Sequence, residues 1–302
     1  MYLDRDATID KACALIEEAG RNGAQLAVFG EAFVPGYPDW TWRTNPWNDA
    51  RWFARLLDQA MVVPSPATER LGEAARTVNA CVAIGINERD VEGSTIYNSL
   101  LYVGGTGDVL GVHRKLMPTG GERLVWGYGD GSGLGVHETE IGRVGGLICW
   151  ENYMPLARAA VYAQGCDVYL APTWDNSDTW VPTLRHIAKE GRCHVIGVTP
   201  CQRGTDVREA LPGLDALYGG DDDWLSRGNT TIVGPNGDIL AGPLIGEEGI
   251  VYADLDLGHA RASRRLFDVA GHYSRPDVFQ LTVDARAKAS VVFERDEGEG
   301  GS

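Results

Sequence analysis

Apolar residues recur along this chain with two periods that trade places from one end to the other. From Ala7 to Gly20 the spacing predicts a helix, with Asp6 or Thr8 near its start and Gly20 as its stop, and the run LAVFG after it predicts a strand. Ala67 to Asn79 returns to helical spacing before the strand-like CVAIGIN. NSLLYVGG and GDVLGVHR predict two strands joined by a glycine-rich turn, and RVGGLIC predicts another. Pro155 to Gly165 predicts a helix, DVYLAP a strand, Trp180 to Gly191 a helix and HVIGVTP a strand. NTTIVGPNGDILAG predicts a hairpin turning at Asn236-Gly237, and GIVYADLDL a closing strand. This alternation, without a convincing linker, implies an α/β sandwich. Val207 to Ser226, which contains Asp221-Asp222-Asp223, reads as an irregular surface loop, and the GYGDGSGLG run as a turn.

Three of the apolar runs end on a reactive side chain: Glu31 in GEAF, Lys115 in HRKLMPTGGERLVWG and Cys149 in GGLICWEN. If strand ends gather at one edge of a sheet, a carboxylate, an ammonium and a thiol meet there. The thiol is the strong nucleophile of the three, but a free pKa of about 8.5 leaves it mostly protonated near neutrality. Glu31 can take its proton, and Lys115 can stabilise negative charge that develops on an attacked atom. Taken singly, each has an ordinary reading as a loop carboxylate, a solvated lysine and a packed thiol. Their joint occurrence with the CWEN motif carries the case.

These segments resemble the carbon-nitrogen hydrolase superfamily, with its Glu-Lys-Cys triad, and Cys149-Trp150-Glu151-Asn152 is similar to the nitrilase branch in particular. The resemblance runs from about Leu26 to about Leu281, where FDVAGHYSRPDVFQL over 267–281 is similar to the nitrilase C-terminal segment. It implies a four-layer α-β-β-α sandwich over residues 1–282, followed by a polar acidic tail over 283–302 that is expected to be partly disordered. It implies hydrolysis of an organic nitrile to the carboxylic acid and ammonia through a thioimidate and a thioester on Cys149, with no metal and no organic cofactor. Glu122 matches a second glutamate that orients Lys115 or the attacking water, although an ion pair with Arg114 or Arg123 would look the same in sequence. Trp150 is expected to offer its backbone N–H to the developing anion. Tyr37, Trp126 and Trp174 are candidates for an aromatic substrate pocket, against a reading as general packing. A homodimer or larger assembly is implied, through the helix after Cys149 and the helix over 180–191. Two departures stand out. Members usually open with a strand and a short loop before the first helix, whereas this chain opens almost at the helix, so one sheet strand is expected to be missing. Gly30 stands where the family often has proline, a change expected to add backbone freedom.

Composition narrows the alternatives. At 302 residues and 44% hydrophobic, the chain can bury a large core. With 42 acidic against 27 basic residues, its net charge of −15 argues against a nucleic-acid or anionic-membrane surface. No apolar run approaches a membrane span, and no signal-peptide core opens the chain, so a cytoplasmic protein is expected. The cysteines form no CxxC pair, and there is no HExxH, P-loop or GxSxG motif. An amidase or carbamoylase would use the same three residues. An inactive assembly scaffold and a thiol redox sensor are the readings from other classes.

Overall fold

The computed structural model describes residues 1–291 apart from 92, 209, 212, 214, 219–223 and 290. The acidic run 221–223 and most of the C-terminal tail therefore lie outside the described residues. Helix α1 (Arg5–Arg21) starts where the Asp4 side chain accepts the Ala7 N–H, and it leads into the short strand β1 (Leu26–Val28). Helices α2 (Ala50–Gln59) and α3 (Pro66–Val78) precede strands β2 (Cys81–Arg89), β3 (Ile96–Val103) and β4 (Val109–Arg114). Then come β5 (Val136–Thr139), β6 (Gly142–Gly146), α4 (Pro155–Tyr162), β7 (Val168–Leu170), α5 (Trp180–Gly191) and β8 (His194–Gly197). The chain continues through β9 (Cys201–Arg203), α6 (Gly204–Arg208), β10 (Trp224–Arg227), β11 (Thr230–Val233), β12 (Ile239–Leu244) and α7 (Leu257–Ser263).

Two sheets carry the architecture, one in the order β1-β2-β3-β4 and one in the order β12-β11-β8-β7-β6-β5. Residues alternate across each strand, and that alternation builds the layers. In β2, Val82, Ile84 and Ile86 pack against Ile9, Ile16 and Leu71 of α1 and α3, while Ala83 turns toward the second sheet. In β7, Val168 and Leu170 meet the first sheet, while Tyr169 packs under α4 and α5 with Val161 and Leu184. The result is the expected four-layer α-β-β-α sandwich. A further cluster around Trp40, Trp52, Trp126 and Tyr218 fills one end of it. Among the described residues no helix is long and apolar enough to cross a membrane.

The sequence reading left α2 and α7 unnamed, and three further differences bear on the sheets. The expected loop over 207–226 ends in β10, which pairs antiparallel with β9. Strand β5 was hidden by the polar residues His137, Glu138 and Thr139, because its outer edge lies at the rim of the sheet. The closing strand expected in GIVYADLDL does not form. Val251, Ala253 and Leu255 do alternate inward onto the core between the sheets, but the main chain over 249–255 makes no main-chain hydrogen bond among the described residues. It faces the open edge of β1 across two adjoining cavities of about 460 and about 770 Å³.

Candidate active site

Strands β6, β7 and β8 run parallel and end together, and their ladder continues past the formal strand ends. The Leu147 N–H donates to Leu170 O at 3.0 Å and the Cys149 N–H to Pro172 O at 2.8 Å. Cys149 then turns the chain sharply, with φ of 53°, a left-handed conformation that an L-residue holds only under external restraint. Its neighbours supply that restraint. Asn152 Nδ2 donates to Leu147 O at 2.9 Å and Cys149 O at 2.8 Å, and Asn152 Oδ1 accepts from Tyr169 Oη at 2.8 Å. Glu151 accepts from the Ile148 N–H at 2.8 Å, the Leu116 N–H at 2.7 Å and His113 Nε2 at 3.0 Å. A buried carboxylate thus ties the turn at Cys149 to the chain just past Lys115. Burial pushes Glu151 up, but His113 and the two N–H donors outweigh it and hold the carboxyl below its ordinary range.

The charged groups arrive from the first sheet. Glu31 follows β1 on a segment that lies directly on β2, and a Cβ at Gly85 would come within 2.2 Å of Gly30 O. Gly30 itself does not have a positive φ, so its use is space rather than freedom: a Cβ there would meet the Pro200 ring at 2.6 Å. Glu31 Oε1 accepts from Asn98 Nδ2 and from Lys115 Nζ, each at 2.7 Å, and Oε2 accepts from the Trp174 N–H at 2.6 Å. Lys115, only 1% exposed just past β4, also donates to Glu122 Oε2 at 2.7 Å. Glu122 accepts from the Thr119 N–H at 2.7 Å and from Tyr37 Oη at 2.8 Å. Its ion pair is therefore with Lys115. Arg114 pairs with Glu88, and Arg123 donates to Pro118 O.

Electrostatics join the two sheet ends. Burial, and then Glu31, push the Cys149 thiol well up, with Lys115 and the Thr173 hydroxyl pulling the other way. Burial also raises Glu31 above the usual carboxylate range in spite of Lys115. Burial alone would lower Lys115, but the Glu31 and Glu122 carboxylates outweigh it and hold the ammonium protonated. The resting arrangement is a neutral thiol beside a carboxylate whose Oε2 accepts one hydrogen bond and has a lone pair left. Two of the three Lys115 N–H bonds are taken by carboxylates, which leaves one to point at a ligand. The Trp150 N–H, next to the thiol, has no acceptor among the described residues.

The aromatic candidates separate. Tyr37 and Trp174 stack at 4.4 Å, and both touch the carboxylates, Tyr37 through its hydroxyl and Trp174 through its N–H. The Trp126 indole is buried and donates to Asn87 Oδ1 at 2.8 Å, which makes it part of the wall behind Lys115. The Trp150 indole is 49% exposed and donates outward to Asp175 at 2.8 Å. Asn98, His113 and Thr173 were not singled out in the sequence. For Thr173 a signal existed, since it stands just past the apolar run DVYLAP, as Glu31, Lys115 and Cys149 stand past theirs. Asn98 and His113 are single polar residues inside strands and have no such mark.

The chain is similar to known proteins over most of its length. Residues 1–265 match the carbon-nitrogen hydrolase family. The chain is 46% identical over 288 residues to a nitrilase of Bradyrhizobium diazoefficiens, covering 93% of this chain and 88% of that one. It is 45% identical to an aliphatic nitrilase of Sinorhizobium fredii, covering 96% and 94%. A carbon-nitrogen hydrolase of Helicobacter pylori shares the fold at a TM-score of 0.69 and 20% identity, covering 91% of this chain and 93% of that one.

Proposed function

The chain belongs to the carbon-nitrogen hydrolase family, and from that premise we propose that it is a nitrilase, converting an organic nitrile and two waters into a carboxylic acid and ammonia. The observation that carries this reading is the meeting of the buried Glu31-Lys115-Glu122 cluster with Cys149 where the two sheets end. Glu31 Oε2 takes the thiol proton as the sulfur adds to the nitrile carbon, and the proton passes to the nitrogen to give a thioimidate. A first water adds, with a carboxylate as base, and the tetrahedral species expels ammonia to leave a thioester. A second water releases the acid and returns the proton to sulfur. The free N–H bonds of Lys115 and Trp150 stabilise the charge that builds on the attacked centre. Glu122 holds Lys115 from the side opposite Glu31. Tyr37 and Trp174 form the aromatic wall nearest the reacting atoms, and substrate is placed against them.

Cells are proposed to hold this enzyme in the cytoplasm as at least a homodimer. Trp150, Tyr153 and Leu156 expose apolar surface beside the start of α4, with Leu156 68% exposed, and a second copy would cover it. Light scattering at working concentration checks the assembly, and an active monomer would refute it. Ammonia release from aliphatic, aryl and arylacetonitriles, run beside the matching amides, tests the reaction. Turnover of a nitrile supports the reading, and release of ammonia from amides alone would replace it with an amidase.

A further inference from the structure

Thr173 is fully buried at the end of β7, where its N–H donates to Val198 O at 2.9 Å and extends the ladder with β8. Its Oγ1 lies 3.1 Å from Cys149 Sγ and accepts the Asp175 N–H at 2.9 Å. A hydroxyl has one proton and two lone pairs. The β-branched side chain is stiff about χ1, which fixes the oxygen, and with the Asp175 N–H on one lone pair the hydroxyl proton rotates to the sulfur, its acceptor among the described residues. A thiol accepts weakly, whereas a thiolate accepts a charge-assisted bond. The contact therefore strengthens as the thiol proton leaves.

We propose that Thr173 is a catalytic residue, donating its hydroxyl hydrogen bond to the Cys149 sulfur and stabilising the thiolate both when Glu31 takes the proton and when the thioester is cleaved. The proposal rests on Cys149 being the nucleophile. No bond to Thr173 forms or breaks, and its proton stays on oxygen throughout. The charged groups that also act on the sulfur are Glu31 after β1, Lys115 after β4 and Glu122 beyond it. Asp175, the nearby acid on the Thr173 segment, is held by the Trp150 indole and the Ser177 N–H.

The test is the rate at which iodoacetamide alkylates Cys149 in the full-length protein, with the site read by peptide mass, for wild type, Thr173→Val and Thr173→Ser. Loss of a hydrogen bond to a charged sulfur should slow alkylation about tenfold or more in Thr173→Val, while Thr173→Ser stays within about threefold. Thr173→Ala, which removes the donor without filling its space, serves the same purpose if valine disturbs folding. Alkylation of both donor-less variants at the wild-type rate overturns the proposal. Because no nitrile is used, a chain that turns over no nitrile yet shows this dependence refutes the nitrilase reading and supports the role of Thr173.

Discussion

At the end of the four-stranded sheet, Glu31 and Glu122 each accept three hydrogen bonds and share Lys115 between them. At the end of the six-stranded sheet, Cys149 has one hydroxyl contact, and beside it the Trp150 N–H has no acceptor among the described residues. One side is charged and held through most of its hydrogen-bonding positions, with one Lys115 N–H and one Glu31 lone pair left over, and the other is neutral and has few partners. The difference indicates how a buried site can hold strong charges and still react. Charges with satisfied hydrogen bonds need no reorganisation when substrate arrives, so the protein supplies an oriented field in advance. Groups left without partners are those the substrate can engage.

Removing the open side should have the largest effect. Cys149→Ala is expected to abolish nitrile-dependent ammonia release from folded protein, and Cys149→Ser to come close to that, because a hydroxyl is far harder to deprotonate. Appreciable release by either variant would remove the nucleophile from the account.

Damage to the charged side should be graded. Glu31→Gln and Lys115→Met keep nearly the same shape, and each should lower kcat/KM at least about a hundredfold, the scale of a lost general base or oxyanion donor. Wild-type kinetics in either would mean that the two sheet ends do not act together.

The bridge between the sides is a matter of stability. Glu151→Gln cannot accept at both oxygens, so an amide N–H must face a backbone or imidazole N–H, and the loss should be about 2–4 kcal/mol by urea unfolding. Glu151 has a folded pKa below its unfolded value. Its contribution is therefore full above the ordinary glutamate range near about pH 4.3 and is lost as pH falls through the lower folded value. The acid-induced loss of stability should be shallower in Glu151→Gln than in wild type, and identical acid profiles would contradict the bridge.

A smaller effect concerns pH and rate. Glu31 must be ionised to act, and its pKa is raised by burial. The acid limb of kcat/KM should therefore lie above the ordinary glutamate value of about 4.3. A limb at or below that value would place the base elsewhere.

The same contrast explains what could be read from the sequence. Helices α3 and α5 were legible because the apolar residues of each turn to a single cluster, which gives a helical period, and strands β2 and β3 because both of their faces are buried, which gives a continuous apolar run. Glu31 and Lys115 were legible through their joint occurrence with the CWEN motif at Cys149, because a place just past a strand does not by itself single out a residue. The segment 249–255 has a strand's alternation without a partner for its main chain, and alternation reports burial but not hydrogen bonding. Glu122 could be named but not assigned, since only the fold puts it on Lys115 and leaves Arg114 to Glu88. Asn98 and His113 act through contacts distant in sequence, Asn98 on Glu31 and His113 on Glu151, which no local pattern encodes.

The central claim is that a carboxylate from one sheet takes the proton from the thiol of the other. The rate of Cys149 alkylation against pH, in wild type and Glu31→Gln, tests it most directly. If the proton moves within the pair, the wild-type rate should be nearly flat from about pH 6 to about pH 8, because forming the thiolate does not require a proton to leave the site. In Glu31→Gln the proton must go to solvent, and the rate should climb about tenfold per pH unit. Parallel tenfold slopes in both proteins would contradict the account, since Glu31 would then be a neighbour of the thiol and not its base.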